Sequence, residues 1–249
     1  MALALFSTPL RAAEKLIIGM ELGYPPFEMT DKQGTPCGVS VDLAHALGAH
    51  LGREVQIENM GFTGLIPSLK TGKIHLIISS MTANEERMKS INFSEPYLRT
   101  GLCILTGAKN DVKSLADLDQ PGRTVAVKQG TTGQLFAVKQ LKNAKVLPLD
   151  KENACVLEVV QGKVDGFIYD QMSVWQNWKK NAETTRALLQ PIKEEAWAIG
   201  IRKGDDALRQ QVNAFLAEFR EKGGFKELGK RWLSEQQAGF EELGVPFVF

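Results

Sequence analysis

Three stretches of the chain place hydroxyls and charges where apolar runs stop. The first is SSMTANEER, residues 79–87, where Ser79, Ser80 and Thr82 follow IHLII and Arg87 comes five residues after Thr82. A helix beginning near Ala83 would leave free backbone N–H groups beside those hydroxyls, a natural seat for an anion. Arg87, one turn in, carries a planar fork that meets a carboxylate with two parallel hydrogen bonds. The same residues also read as a Thr82 N-cap completed by Glu85 in a capping box, with Arg87 a solvated surface charge. The second stretch is KQGTTGQLF, where Gly130, Thr131, Thr132 and Gly133 lead from a strand into a helix. It is either a second anion seat or an ordinary threonine cap, and it lacks the Gly-x4-Gly-Lys spacing of a nucleotide loop. The third is VDGFIYD, whose Asp170 either seats an ammonium or caps the helix that starts at Gln171.

Aromatic residues accompany these groups. Tyr24 and Phe27 flank a Pro-Pro turn in MELGYPPFEM, and Phe62 stands in GFTGL. Each either walls a cleft or fills a core, and the sequence gives Trp197 no place relative to either. Catalytic signals are thin. His45, His50 and His75 have no Asp or Cys at a triad-like spacing, and neither His-x-x-x-His nor Gly-x-Ser-x-Gly occurs. Cys37, Cys103 and Cys155 form no Cys-x-x-Cys, so no zinc or redox motif is present and no metal or cofactor is expected. One disulfide or three free thiols fit the count.

The elements that must position these residues alternate along the chain. KLIIGM, EVQIE, KIHLIIS, TVAVKQG, KVLPL and VDGFIYD read as strands. VDLAHALGAHLG, LIPSLKTG closed by Gly72, TGQLFAVKQLKN and NACVLEVVQG closed by Gly162 read as helices. Residues 205–233 read as amphipathic helix broken at Gly223 and Gly224. Such alternation predicts an α/β protein with largely parallel sheets. One internal echo is informative. SLKTGKIHLIISS and EVVQGKVDGFIYD align without gaps, pairing Gly72 with Gly162, Lys73 with Lys163, and Ser80 with Asp170. It suggests two lobes of similar build that face Ser80 and Asp170 across one cleft, since ligands of open α/β sheets bind beyond the carboxyl ends of strands.

The 249 residues carry 30 Lys and Arg against 29 Asp and Glu. No basic block favours nucleic acid, and no apolar run approaches the roughly 20 residues that span a bilayer. The opening MALALFSTPLRAAEK is apolar and small before it turns charged, which reads as a signal-peptide remnant or a disordered end over residues 1–14. No lipid-attachment cysteine follows it.

Together these stretches resemble the polar amino-acid binding proteins of bacterial ABC uptake systems, the periplasmic family that includes lysine/arginine/ornithine, histidine and glutamine binders. The likeness runs over residues 15–233, through YPPFEM, GVSVDLAHALG, VAVKQGTTG, GKVDGFIYD and, most specifically, GFTGLIPSLKTGKIHLIISSMTANEERMKSINFSEPYL. It implies a type II, two-lobed fold, each lobe an open, mainly parallel sheet flanked by helices, with a two-strand hinge. Residues 15–102 and 201–249 would form one lobe and 103–200 the other. It implies a monomer that closes on one amino acid in the periplasm and delivers it to a membrane permease. Arg87 would clamp the ligand carboxylate with Thr82 and Thr132. Asp170 would hold its ammonium with Ser80, and Ser79 and Thr131 would be further ligand-binding residues. Tyr24 and Phe62 would sandwich its side chain, and Glu21 would read it, which points to arginine, lysine, histidine or glutamine.

Some departures stand out. The family's Gly-Phe-Asp-x-Asp-Leu is here Gly38-Val39-Ser40-Val41-Asp42-Leu43, a region expected to serve packing. His75 replaces a common Asp, and Cys37 and Cys103 do not match the disulfide of some relatives. The tail from Gln236 lies beyond the family's usual end. Two rival readings use the same scaffold. One is an enzyme resembling cyclohexadienyl dehydratase, which carries a catalytic glutamate where this chain has Ser173, though Glu21 could serve as an acid. The other is the ligand-binding module of a sensor, which would need fused signalling or membrane segments.

Overall fold

The computed structural model describes residues 15–246. The expected signal remnant at 1–14 lies outside them. The strands are β1 (Leu16–Met20), β2 (Met29–Thr30), β3 (Pro36–Cys37), β4 (Val55–Asn59), β5 (Leu76–Ile77), β6 (Asn92–Phe93), β7 (Leu98–Gly107), β8 (Thr124–Lys128), β9 (Lys145–Leu149), β10 (Gly166–Asp170), β11 (Thr185–Trp197) and β12 (Gly200–Ile201). The helices are α1 (Val39–His50), α2 (Phe62–Thr71), α3 (Glu85–Met88), α4 (Leu115–Leu118), α5 (Thr132–Gln140), α6 (Glu152–Val160), α7 (Gln171–Lys180), α8 (Asp206–Glu221), α9 (Gly224–Trp232) and α10 (Ser234–Glu242).

Two five-stranded sheets organise the two lobes. The first has the order β4-β1-β5-β12-β6, and the second β11-β7-β10-β8-β9. The expected parallel pairings are there, β1 with β4 and β5, and β8 with β9 and β10. Antiparallel strands complete each sheet: β12 runs against β5 and β6, and β7 against β10 and β11. The chain crosses from the first sheet to the second at residues 94–97 and returns at 198–199. The crossings run side by side, with Tyr97 N–H donating to Trp197 O and Ser94 N–H to Ile199 O.

Alternation along the strands builds the cores. In β7, Leu102 and Ile104 face one apolar cluster while Cys103 and Leu105 face another, as the two-residue period of a strand requires. The first sheet divides its side chains likewise, with Leu16, Ile18 and Leu76 on one side and Ile17 and Ile77 on the other, where they meet Leu65 of α2. All three cysteines are free, with Cys103 and Cys155 buried. His75, at the family's Asp position, accepts a hydrogen bond at Nδ1 from Ile17 N–H.

The internal echo is a repeated helix ending. Gly72 and Gly162 both take φ near +70°, at 78° and 68°, where glycine meets no Cβ penalty. In each, the lysine after the glycine donates its N–H five residues back, Lys73 to Ser68 and Lys163 to Glu158. Each helix thus ends sharply and sends a strand toward the cleft.

The tail has a structural place. From α9, Leu233 turns the chain into α10, whose Phe240 is fully buried and stacks on Trp175 of α7, with ring centroids 5.6 Å apart. A Cβ at Gly239 would stand 2.2 Å from the Trp175 ring, so glycine lets the helix lie against it. Truncating Phe240 to alanine is therefore expected to cost about 3–5 kcal/mol. Urea unfolding would read this, with the half-exposed Leu157→Ala as a control expected within about 0.5 kcal/mol of the parent. Equal midpoints for the two variants would show that α10 contributes no core.

Candidate functional site

The carboxyl ends of four strands meet in one cleft. β1 delivers Glu21, β5 delivers Ser79 and Ser80, β8 ends on Lys128 and β10 ends on Asp170. All ten residues assigned from sequence line this cleft, together with Leu102, Tyr169, Glu28, Glu195 and Trp197. The hydroxyl of Thr131 is engaged as a cap, accepting from Gln134 N–H and donating to Lys128 O.

Arg87 is buried, not a surface charge. Its Nη1 donates to Thr82 O at 2.7 Å and its Nη2 to Gly130 O at 3.1 Å, so it ties the loops of both lobes. Burial lowers its pKa to about 10, which leaves it charged at neutral pH. The sequence expectation for the surrounding backbone is corrected. The helix starts at Glu85 and is a single turn, and Asn84 caps it by accepting from Arg87 N–H at 2.8 Å. Thr82 instead bridges Trp197 in extended geometry, which frees its hydroxyl for the cleft. That hydroxyl and the one on Thr132 both donate to Glu195 Oε2, at 3.0 and 2.8 Å. A carboxylate of the protein thus already sits on the two hydroxyls.

Asp170 does both things the sequence allowed. Its Oδ1 caps α7 by accepting from Ser173 N–H at 3.0 Å, and it accepts from the Tyr24 hydroxyl across the cleft at 2.5 Å. Burial raises its pKa to about 7. Tyr24 stacks on Phe27 and meets Trp197 edge-on, and Phe27 and Trp197 are buried plugs. Phe62 has the cations of Arg87 and Lys128 each 5.3 Å from its ring centroid. Ser79 and Ser80 turn to a carboxylate the sequence reading missed: Glu28 accepts from Ser80 at 3.0 Å, from Ser40 at 2.6 Å and from Ser79 at 3.5 Å. Ser80 holds a φ of 45° to do so, an uncommon conformation for a non-glycine residue. Ser40 therefore serves more than packing. Burial raises the Glu28 pKa to about 8.

Glu21 is also engaged. Its Oε2 accepts from Lys128 Nζ and its Oε1 lies 3.5 Å from Lys151 Nζ. Lys128 had a sequence signal, since it ends its strand just as Asp170 does. Glu195 had none, because KEEAW places charges where an exposed strand would have them. The site thus sets buried donors from Arg87, Thr82 and Thr132 against an acceptor on Asp170, groups that fit both charges of a small zwitterion.

Comparisons with known proteins bear on this geometry. The model of the family described as bacterial extracellular solute-binding proteins, family 3, matches residues 16–235. The L-arginine-binding protein of Pseudomonas aeruginosa is 30% identical over 94% of this chain and 94% of its own. The ABC transporter arginine-binding protein 1 of Escherichia coli (strain K12) is 28% identical over 94% and 96%. Among solved structures, an ancestral arginine-binding protein bound to arginine superposes with a TM-score of 0.84 at 32% identity, covering 90% of this chain and all of that one. The ancestral amino acid-binding protein AncCDT-1, a precursor of cyclohexadienyl dehydratase, gives 0.81 at 34% identity, covering 88% and 96%. Among the described residues no helix is long and apolar enough to cross a membrane.

The raised carboxyls give the folded state a pH signature. Folded Glu28 keeps its proton to about pH 8, whereas the free group releases it near 4.5. Folding therefore takes up a proton between those values, and stability falls as pH rises through them. Asp170 adds the same trend up to about pH 7. Urea midpoints are expected to drop from pH 5 to pH 8, and to drop less in Glu28→Gln, by up to about 1.4 kcal/mol per pH unit. An identical slope in the variant would contradict a protonated Glu28.

Proposed function

The chain belongs to the bacterial extracellular solute-binding proteins, family 3, and we propose that it works outside the cytoplasm as a monomer that captures one polar amino acid between its lobes and delivers it to an ABC permease. Residues 1–14 serve as the export signal in this reading. The observation that carries it is the buried Arg87 beside the hydroxyls of Thr82 and Thr132, opposite Asp170. Arg87 takes the α-carboxylate with its fork. The ligand displaces Glu195 Oε2 from the two hydroxyls, and Glu195 swings toward Lys193, whose Nζ lies 3.7 Å from its Oε1. Asp170 takes the ammonium, which pulls its raised pKa back down. Tyr24 and Phe62 wall the side chain, and Glu21 stands at its far end. Basic side chains and glutamine are the class the family resemblance offers for that end, and the arginine-binding relatives support an amino acid as ligand.

Groups from both lobes complete the site, so ligand favours the closed form by its stronger binding there. Residues 15–102 with 201–249, and 103–200, are the proposed moving bodies.

A second reading, an enzyme like cyclohexadienyl dehydratase, draws support from the likeness to AncCDT-1 and from the protonated Glu28 in the cleft wall. Ser173 weighs against it. Its side chain is buried and donates to Glu152 at 2.6 Å, away from the cleft, where the enzyme's glutamate would act. Glu21 is held by two lysines. The protein is therefore read as a non-catalytic binder, and prephenate is expected to yield no phenylpyruvate absorbance; steady formation would favour the enzyme.

The clamp is tested at Arg87. Arg87→Ala and Arg87→Lys should each weaken amino-acid binding at least about a hundredfold, because lysine keeps the charge but not the fork. Calorimetric titration reads the loss, and circular dichroism checks that the fold remains. Unchanged affinity in a folded variant would refute the clamp.

A further inference from the structure

At the side-chain end of the cleft the protein supplies its own cation. Lys128 is buried at the end of β8, and its Nζ donates to Glu21 Oε2 in an ion pair that joins the second lobe to the first. The same ammonium lies 5.3 Å from the Phe62 ring centroid. The other oxygen of Glu21 faces Lys151 at 3.5 Å. Both oxygens of the acid that would read a cationic side chain therefore face lysines already. The pair also stands between the ligand cleft and an outer groove lined by Asn59, Gly61 and Asn177.

We propose that Lys128 sets the side-chain specificity of this cleft, its ammonium holding the cation seat before Glu21 so that the site accepts an amino acid with an uncharged carboxamide side chain and rejects arginine and lysine. The inference rests on the amino-acid-binding reading above and chooses within it. A ligand guanidinium or ammonium would have to stand beside Lys128 as a like charge, or displace it and leave a buried ammonium without its carboxylate. Both are costly where water is excluded. Glu28 and Glu152 also lie within electrostatic reach of Lys128, but Glu28 already accepts from Ser40 and Ser80, and Glu152 from Ser173 and Asn177. A carboxamide needs neither displacement nor added charge. Its oxygen accepts from the ammonium, which has three donors, and its NH2 donates to Glu21. The ion pair is thus a complementary donor and acceptor for that group.

The test is calorimetric titration of refolded protein with glutamine, asparagine, glutamate, arginine and lysine, repeated on Lys128→Met and on the double variant Lys128→Met with Glu21→Gln. The parent should bind glutamine or asparagine at least tenfold more tightly than arginine or lysine. Lys128→Met frees Glu21 and should shift the arginine-to-glutamine affinity ratio at least tenfold toward arginine. The double variant should lose that shift, because the acid is gone. A purely structural lysine would weaken all ligands together and leave the ratio unmoved, which would overturn the inference. So would parent protein that prefers arginine, lysine or glutamate. Heat from none of the amino acids on any variant would instead sink the binding reading on which the inference stands.

Discussion

Charge held out of water governs this structure. Glu21, Asp170 and Glu195 share one cleft with Arg87 and Lys128, and all five are buried. A buried charge persists only where a partner and hydrogen bonds replace its water. Here the partners come from opposite lobes. Lys128 of β8 meets Glu21 beyond β1, Tyr24 meets Asp170, and Arg87 reaches Gly130. In the proposed closure, bringing the lobes together and satisfying the charges would be one event. In the function proposed above, a ligand that brings its own pair of charges would enter this exchange by replacing an internal partner such as Glu195 on Thr82 and Thr132.

The fold makes that exchange possible with ordinary parts. Both sheets aim their parallel strands at the cleft, so strand ends deliver polar residues while the strands behind them stay apolar. Left-handed glycines stop the preceding helices at matched points, and Asp170 and Thr131 cap the following ones while remaining at the cleft. The two crossings between the sheets lie side by side, a geometry that lets the lobes rotate without unfolding either core. The tail adds a further tie, because α10 follows the helices of the first lobe and seats Phe240 against Trp175 of α7.

Much of this was legible in the sequence. The two-period strands, the helix ends at Gly72 and Gly162, and the break before α9 follow from residue types at short range. So do the polar strand ends, and those brought Ser80, Lys128 and Asp170 within reach of inference, though Lys128 passed as an ordinary strand residue. The rest depends on contacts distant in sequence. Glu195 is recognisable only once β11 pairs with β7 and the crossing brings it to Thr82, 113 residues away. Glu28 acquires its role from Ser40 and Ser80, and no local pattern announces that triad. The cap at Asn84 rather than Thr82 is a smaller miss of the same kind, since the bridge from Thr82 to Trp197 keeps the chain extended two residues longer than local propensity suggests.

The most direct test of the account is whether both charges of an amino acid are needed. Protein freed of bound ligand by unfolding and refolding would be heated with each common amino acid, and the best one compared with its decarboxylated amine and its N-acetyl form. At about 100 times its dissociation constant a true ligand adds about 2.7 kcal/mol of stability, a readable rise in Tm. The account expects that rise with the intact zwitterion and with neither analogue. A rise of equal size with the amine, which has nothing to offer Arg87, or with the acetylated form, which has nothing to offer Asp170, would contradict it.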